Sequence, residues 1–538
     1  MMLRKIPFHP FLLAMYPALA LLANNISQIV FADTLRALCA SILLAIIIFG
    51  IWYVMIRNWH KAALITSLFL LVFFSYGHAY SLLRGFSVGP ILLGRTLIIL
   101  PLFLVLLVIG IWWILSRDPN TSGHNQTINI TVLVLIAFPL YTIISYYAGT
   151  EIIRASQKTA LPVALAQKFQ GAPPSIYYII LDMHARTDVL QKIYAYDNTW
   201  FTDSLKEKGF YIAEESTSNY SSTLQSISSS LNMEYINYLE ETYGSNSNNR
   251  EPYGLLLARN KVTNILKESG YRTAAFQSDD FYTEFRDADV YIKPTSDQIR
   301  QYQNSWALNS FEGILLQSTM ARVLYDLSII PSDVLIEKTI ETPYQLHRLT
   351  ILNTIEHLPD FAGENGPYFV FAHIISPHPP YVFGPNGQEI QHDQPYSLSG
   401  PARQNGGPKY LKLYIDQLHY TDELILQTVE EILARSKTPP IIIIQGDHGP
   451  VSYLGEDEVE KTNMWEQHAI LNAYYFPGQN YDLLYPSVSP VNSFRIVQNT
   501  FFDGNYELLP DQNYFIPHAR PYDFVDVTGR VRTDPRTP

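Results

Sequence analysis

Apolar positions are distributed in two different ways along the chain. Before residue 150 they form five long, nearly uninterrupted runs, at 8–30, 35–56, 62–83, 91–115 and 128–147. Each run has the roughly 20 residues that a helix needs to cross the hydrocarbon core of a bilayer. Beyond residue 174 the apolar runs are short and lie between polar helical patterns. We therefore predict a transmembrane domain of five helices at 1–150, a connecting arm at 151–174 and a water-soluble domain at 175–538.

Basic residues at the ends of the long runs indicate which ends face the cytoplasm. They precede the first run, separate the second from the third, and separate the fourth from the fifth: Arg4, Lys5, Arg57, Lys61 and Arg117. The first run lacks a small-residue cleavage site and four more runs follow it, so we interpret it as a retained helix and not as a signal peptide. Five spans with the N-terminus inside place the 175–538 domain on the outer side of the membrane.

The pattern after residue 174 is typical of an α/β domain. Apolar stretches of strand length, among them 175–183, 272–279, 367–375 and 439–449, alternate with amphipathic helical stretches such as 198–210 and 411–436. Strands that are apolar on both faces belong to sheets covered by helices on both sides. We predict a mostly parallel sheet flanked by helices. In such sheets, ligands bind at the carboxyl ends of the strands.

Charge and cysteine content exclude several classes of function. Residues 1–155 carry a net charge of +6 and the whole chain carries −12, so the rest of the chain carries −18. An acidic domain does not bind nucleic acid, because that requires Lys and Arg to displace counterions from phosphates. The one cysteine, Cys39, lies in the second apolar run. The outer domain therefore has no disulfide, no cysteine metal site and no cysteine nucleophile.

Polar residues that bind metal ions follow three of the predicted strands. Asp182 ends "YYIILD", and Asp447 and His448 end "IIIIQGDHG" between two glycines that permit close backbone approach. An acid and an imidazole at such a bend suit one cation. His373 and His378 flank the end of a third strand, in "FVFAHIISPHPPY".

The stretch 216–233, "STSNYSSTLQSISSSLNM", has the composition of a Ser-rich surface loop. From Thr223 onwards it can also form a helix, whose free N–H groups at the start favour an anion. A threonine hydroxyl at that place becomes a nucleophile when a divalent cation withdraws its proton. We therefore keep Thr223 as a candidate nucleophile beside the surface-loop alternative.

The order and spacing of these elements resemble the alkaline phosphatase and sulfatase superfamily. The residues that carry the resemblance are the acid after the first strand, the Thr223-x-x-Ser226 helix start and the late "GDHG", with five spans ahead of them. In layout the chain is similar to the membrane-anchored lipoteichoic acid synthases and lipid A phosphoethanolamine transferases. Those enzymes have Glu where this chain has Asp182.

The resemblance implies a role for each matching position. Asp182, Thr223, Asp447 and His448 would be metal ligands, and Thr223 would also be the nucleophile. His378 would contact the substrate and act in catalysis. Arg186 is a candidate phosphate ligand, with a surface salt bridge as the alternative. His468 is a weaker candidate for substrate binding, and with His373 and His518 for completing a second metal site.

The resemblance also implies an activity and its partners. We expect a membrane-bound enzyme of the bacterial cytoplasmic membrane that uses one divalent metal ion, zinc or manganese, with a second metal ion as an open alternative. It would transfer a phosphoethanolamine- or phosphoglycerol-type group from a membrane lipid to an envelope glycan or lipid. The alternatives are a phosphatase, phosphodiesterase or sulfuric ester hydrolase of the same fold, and an inactive binding domain. Sulfatase activity is disfavoured because Thr223 cannot become the formylglycine that sulfatases make from Cys or Ser.

Overall fold

The structure is a computed structural model. It describes residues 6–26, 31–83, 86–88, 91–116, 121–157, 173–302, 309–327, 342–364, 366–392, 396, 398, 408–452 and 458–531. Residues 158–172, most of the predicted connecting arm, lie outside this range, as do Arg4, Lys5 and Arg117 of the charge argument.

The described helices, in chain order, are α1 His9–Asn24, α2 Phe31–Ile56, α3 Trp59–Leu83, α4 Thr96–Ser116, α5 Thr121–Gln157, α6 Thr187–Tyr194, α7 Thr199–Glu207, α8 Thr223–Asn232, α9 Leu239–Tyr243, α10 Glu251–Ala258, α11 Lys261–Glu268, α12 Ser296–Tyr302, α13 Ser310–Gln317, α14 Arg322–Asp326, α15 Thr342–His357, α16 Pro408–Arg435, α17 Met464–His468 and α18 Pro490–Phe501. The strands are β1 Ser87–Val88, β2 Ile91–Leu92, β3 Ile176–Leu181, β4 Tyr211–Ile212, β5 Arg272–Phe276, β6 Val290–Ile292, β7 Tyr368–Ile374, β8 Ile441–Gln445, β9 Asn472–Tyr475, β10 Tyr514–Phe515 and β11 Val525–Asp526.

The chain divides into two compact units. The first is Met1–Ala160 together with Asn304–Pro343, and the second is Leu161–Gln303 together with Tyr344–Pro538. The return of 304–343 to the first unit was not expected from the sequence. The boundaries at 150 and 174 remain predictions.

The first unit contains the apolar helices. Four of them, α2, α3, α4 and the part of α5 up to Tyr147, are long and apolar enough to cross a membrane, whereas α1 is a shorter apolar helix of 16 residues. The fourth apolar run contributes the short strand β2 before α4 begins at Thr96. Buried side chains of α1, α2 and α5, with two from α13, form one apolar cluster: Ala18, Leu19, Leu22, Ala37, Leu38, Ile136, Ile143, Phe311 and Leu315.

The second unit is built on a seven-stranded sheet in the order β4-β9-β8-β3-β7-β5-β6. The five strands from β8 to β6 are parallel to one another, and β9 is antiparallel to both of its neighbours. This confirms the predicted mostly parallel α/β sheet. The helix–strand alternation did not indicate the antiparallel orientation of β9.

The central position of β3 follows from its sequence. All six of its residues are buried, and those of one face pack in a cluster with α8, α11 and α18. Helices α7 and α11 both lead into a glycine in the left-handed region, Gly209 (φ +93°) and Gly270 (φ +88°), where a residue without a Cβ is unstrained. These turns return the chain to the sheet as β4 and β5.

Candidate active site

Three metal-binding side chains meet at the carboxyl edge of the sheet. In the β3 register Ile180 is paired with Gln445 of β8 on one side and His373 of β7 on the other. Residues that follow these strands therefore emerge side by side. One ligand atom from each of Asp182, Asp447 and His448 lies within 4.8 Å of the other two, and all three residues are buried.

The two glycines around the Asp447–His448 pair are required by the packing of the backbone. A Cβ on Gly446 would lie 2.6 Å from the His184 carbonyl oxygen, and one on Gly449 would lie 2.0 Å from that of Glu466. Real Cβ atoms essentially never approach another heavy atom within 3.0 Å. The expected close backbone approach is thus confirmed on both sides of the pair.

The turn after β3 is fixed by hydrogen bonds that do not use the metal-facing atoms. The Met183 N–H donates to Asp447 Oδ1 over 3.1 Å, and the Tyr414 hydroxyl donates to the Met183 carbonyl over 2.8 Å. Met183 has a φ of +63°, a left-handed conformation that is rare for a side chain of this size. The chain therefore turns sharply directly after Asp182 and is held there from α16.

The remaining atoms fit a divalent cation. Asp182 Oδ1 and Asp447 Oδ2 are buried and have no hydrogen-bond partner among the described residues. His448 Nε2 lies 3.9 Å from the first and 3.6 Å from the second. The His448 Nδ1 lies 2.9 Å from the Gly449 carbonyl oxygen, and when it donates there, Nε2 has a free lone pair. Two bare carboxylate oxygens and an imidazole nitrogen facing one point are a donor set for zinc or manganese.

Thr223 lies beside this donor set as the first residue of α8. Ser222 is extended before it (φ −145°, ψ 140°), and the Thr223 hydroxyl is 3.3 Å from His448 Nε2. The first N–H groups of a helix have no acceptor within the helix, so they favour an anion at this point. Three residues on, the Ser226 hydroxyl donates to the Asp447 carbonyl over 2.6 Å and ties α8 to the metal-binding loop.

The two histidines near the end of β7 lie against Asp182. His373 Nε2 is 3.4 Å from Asp182 Oδ2, and its Nδ1 is 2.7 Å from the Thr283 hydroxyl. The backbone N–H of His378 donates to the Asp182 carbonyl over 3.0 Å, and Gln417 donates to the His378 carbonyl over 2.9 Å. Peptide bonds on both sides, Ser376–Pro377 and Pro379–Pro380, are cis.

The charges of these groups shift one another's pKa. Burial opposes the ionisation of Asp182, but His378, His373 and His448 outweigh it and hold its pKa well below the usual range. Burial and then repulsion from Asp182 raise the pKa of Asp447. Burial disfavours the charged form of His373, yet the facing Asp182 carboxylate and two further acids raise its pKa.

Two predicted substrate ligands have other partners. The Arg186 guanidinium pairs with both carboxylate oxygens of Asp188, at 2.7 and 2.8 Å, and donates to the Ser216 carbonyl at 2.8 Å. His468 is fully buried, with its ring nitrogens 3.0 Å from the Met464 carbonyl and 3.4 Å from the Tyr514 carbonyl. Arg186 forms a salt bridge with Asp188, which agrees with the alternative interpretation of this residue. Binding of substrate by either residue remains a prediction without a contact to support it.

A group of polar residues that was not predicted follows the strand β5, which is paired with β7. Burial raises the pKa of Asp280, which lies within electrostatic range of His373, Asp182 and Asp447. Beside it Asp279 pairs with His347 of α15, and both line a small pocket that His373 also lines. The signal was present, because "SDD" follows a buried parallel strand as Asp182 does. The pairing of Asp279 with His347, 68 residues away, can be recognised only from the folded structure.

Comparison with known proteins gives one match to a family and several to solved structures. The family model described as Sulfatase matches residues 174–493, more than half of the chain. No curated protein matches the sequence. The chain is similar to the zinc complex of the C-terminal periplasmic domain of EptC from Escherichia coli, with 12% identity, a TM-score of 0.42, and coverage of 69% of this chain and 99% of that one.

Two further solved structures are similar to it. For the integral membrane lipooligosaccharide phosphoethanolamine transferase EptA from Neisseria meningitidis, the identity is 10%, the TM-score 0.36, and the coverage 92% of this chain and 94% of that one. For the lipoteichoic acid synthase LtaP from Listeria monocytogenes, the identity is 15%, the TM-score 0.35, and the coverage 64% and 78%.

Proposed function

The chain belongs to the sulfatase family, and from that premise we propose that it transfers a phospho-alcohol group from a membrane lipid to a hydroxyl of an envelope glycan or lipid, through a covalent intermediate on Thr223. Family membership confirms the predicted class, an enzyme of the phosphotransferase or hydrolase type within the sulfatase and alkaline phosphatase superfamily. The donor, the acceptor and the nucleophile belong to the proposal.

One observation carries the proposal. The Thr223 hydroxyl lies 3.3 Å from His448 Nε2, at the start of a helix and beside two buried carboxylate oxygens without hydrogen-bond partners in the described part of the chain. A hydroxyl in that position has a place for a cation on one side and free N–H groups for a phosphate oxygen on the other.

A divalent cation held by Asp182, Asp447 and His448, with Thr223 as a further ligand, would lower the pKa of the threonine hydroxyl and offset negative charge on the phosphate oxygens. The residues of the chain bind and orient the substrate and hold the nucleophile in place. The N-terminus of α8 orients a non-bridging oxygen of the phosphodiester, and the Ser226 hydrogen bond holds α8 against the Asp447 loop. Thr223 is thereby fixed relative to its ligand neighbours.

The reaction takes two displacements at phosphorus. In the first, Thr223 gives its proton to solvent, its Oγ1 bonds to phosphorus, and the bond from phosphorus to the lipid oxygen breaks, with His378 giving a proton to that oxygen. In the second, an acceptor hydroxyl bonds to phosphorus and gives its proton to His378, the bond to Oγ1 breaks, and Oγ1 takes a proton from solvent. Both residues thereby return to their starting state.

We place the protein in the bacterial cytoplasmic membrane with the second unit on the outer, periplasmic side. Four helices long and apolar enough to cross a membrane support this, and so does the predicted excess of basic residues at their inner ends. A membrane anchor keeps the active site near a lipid donor, which a freely soluble phosphatase would not require.

Transfer and hydrolysis are separated by following the labelled head group. The full chain in detergent is incubated with phosphatidylethanolamine or phosphatidylglycerol labelled in the head group, with and without envelope glycolipid as acceptor. The proposal expects label on the acceptor and diacylglycerol as co-product. Label found only as free head group or phosphate, whatever the acceptor, identifies a hydrolase instead. No release of diacylglycerol and no bound metal in a chelator-free preparation identify an inactive binding domain.

A further inference from the structure

One part of the first unit comes from the middle of the chain. Residues 309–327, which we name the returning segment, contain α13 and α14 and belong to the compact unit of the apolar helices. The chain of the second unit is therefore interrupted between 303 and 344. The hydrophobic pattern of the sequence did not separate this segment from the outer domain.

Charged groups of the returning segment face the apolar helices and are paired there. Glu312, which is 6% exposed, forms a two-point ion pair with Arg36 of α2. The Thr96 hydroxyl of α4 donates to Asp326 over 2.6 Å, and Arg322 pairs with the same carboxylate at 3.1 Å. The charged groups of the segment therefore face the helices of the first unit, where they are partly desolvated and have hydrogen-bond partners.

Backbone hydrogen bonds join the segment to α3. The Gly77 N–H donates to the Ser318 carbonyl over 3.0 Å, and the Met320 N–H donates to the Phe73 carbonyl over 2.8 Å. In a regular helix the groups of Phe73 and Gly77 bond to each other. A Cβ on Gly77 would lie 2.4 Å from the backbone of Ser318, so only glycine permits this contact.

All of these contacts lie at one side of the helix bundle. They involve the beginning of α2 (Arg36), the second half of α3 (Phe73 and Gly77) and the beginning of α4 (Thr96). Consecutive spans run in opposite directions, so these ends share one face of the membrane. Ile143, in the later part of α5, belongs to the same apolar cluster as Phe311 and Leu315 of the segment.

Most of the side chains that the segment exposes are apolar. Among those with described burial, five are exposed, and four of these are Ile314 (51%), Leu316 (38%), Leu324 (40%) and Leu327 (37%); the fifth is Gln317. Charges directed inward and aliphatic groups directed outward are the reverse of a surface in water. The adjoining span α4 also exposes aliphatic side chains, among them Leu97, which is 74% exposed.

We propose that the returning segment lies in the outer leaflet at the boundary between lipid head groups and acyl chains, with Ile314, Leu316, Leu324 and Leu327 in contact with phospholipid chains. The continuity of this apolar surface with the lipid-facing surface of the spans identifies phospholipid as the occupant. Interfacial helices are buried by about 5–10 Å at that boundary. The second unit is then attached to the membrane through α5 and again through residues 309–327. The inference rests on the membrane location given under the proposed function.

Fluorescent labels at single cysteines test the lipid contact. Cys39→Ser removes the one native cysteine, and cysteines are then introduced one at a time at Ile314, Leu324, Leu104 of α4 and the exposed Lys437. The full chain is reconstituted in phosphatidylethanolamine and phosphatidylglycerol vesicles that contain a phospholipid with a nitroxide near its head group. We expect several-fold stronger nitroxide quenching at 314 and 324 than at 437, and weak quenching by aqueous iodide.

Three outcomes overturn the proposal, and they are distinguishable. Iodide quenching at 314 and 324 equal to that at 437 shows that the segment lies in water. Protection from both quenchers shows that protein, such as a second copy of the chain, covers it. Absence of nitroxide quenching at 104 as well shows that the membrane location itself is wrong. None of these readouts depends on catalytic activity.

Gly77→Ala tests the attachment of the segment to α3. The added Cβ displaces Ser318, so we expect the label at 314 to gain iodide accessibility while the label at 104 is unchanged. Gly50→Ala is the matched control, because a Cβ at Gly50 in α2 meets no atom within 4 Å. An unchanged label at 314 in Gly77→Ala contradicts the attachment. If the variant does not fold, the quenching pattern of the Cys39→Ser series still decides the proposal.

Discussion

A methyl group added at Gly449 is expected to disrupt the metal site without touching any of its ligands. In Gly449→Ala the new Cβ starts 2.0 Å from the Glu466 carbonyl oxygen and 3.1 Å from the Gln467 carbonyl carbon. To reach the shortest separation found for real Cβ atoms, 3.0 Å, the two backbone segments must part by about 1 Å. His448 is the preceding residue and moves with this backbone.

The size of the effect follows from that displacement. Overpacking of a buried site costs typically about 1–3 kcal/mol of unfolding free energy. Misplacement of a catalytic group by about 1 Å lowers turnover by about 10²-fold. We therefore expect Gly449→Ala to lose most of its activity and to bind metal more weakly while it still folds.

The assay compares bound metal by elemental analysis, turnover of labelled phospholipid and circular dichroism in the same preparation. Gly529→Ala is the control, since a Cβ there meets nothing within 4 Å. Metal content and turnover of Gly449→Ala equal to those of Gly529→Ala would refute the reasoning that the glycine is required by backbone proximity.

Three other predictions follow from the site. Ser226→Ala leaves the buried Asp447 carbonyl without its hydroxyl donor and should lower the unfolding free energy by about 1–3 kcal/mol, measured by urea titration with Ser222→Ala as the comparison. Asp182→Asn should abolish the rise in melting temperature that zinc or manganese gives the chelator-treated wild type, measured by scanning fluorimetry; an undiminished rise would remove Asp182 from the ligand set. Burial lowers the pKa of His468 from 6.5 to about 4. Between pH 6.5 and pH 4 the unfolded state therefore binds one more proton than the folded state. The free energy of unfolding that is present above pH 6.5 is lost as the pH falls toward 4. The loss amounts to roughly 3 kcal/mol, and His468→Gln should flatten the pH dependence of metal-free unfolding, whereas an unchanged slope would contradict this assignment.

The strands that build the site were predictable because their signal is local. Four consecutive isoleucines in 441–444 and "IYYIIL" in β3 are apolar on both faces, which is typical of central parallel strands. The rule that ligands collect at the carboxyl ends of such strands then singled out Asp182 and the Asp447–His448 pair. The structure brings these residues together, as the register of β3 with β8 explains.

The missing parts depend on contacts between distant residues. Arg186 has the sequence context of a phosphate ligand, but its guanidinium donates to the carbonyl of Ser216, 30 residues along the chain. The Asp279–His347 pair joins the loop after β5 to α15. The hydrophobic periodicity of these two elements does not indicate that they are close in the fold. The returning segment is the largest part of the fold that was not predicted. When a piece of one domain interrupts another domain, the local hydrophobic pattern does not show it.

The covalent intermediate on Thr223 is the claim on which the proposed function depends most directly. The full chain, loaded with zinc or manganese, is mixed with labelled phosphatidylethanolamine or phosphatidylglycerol in the absence of acceptor, quenched in acid, digested and examined by tandem mass spectrometry. We predict a phospho-alcohol adduct on Thr223 that disappears when acceptor glycolipid is added and is absent from Thr223→Ala. An adduct that persists in Thr223→Ala, on Ser221, Ser222 or Ser226, or turnover of the lipid by Thr223→Ala at the wild-type rate, would contradict the account.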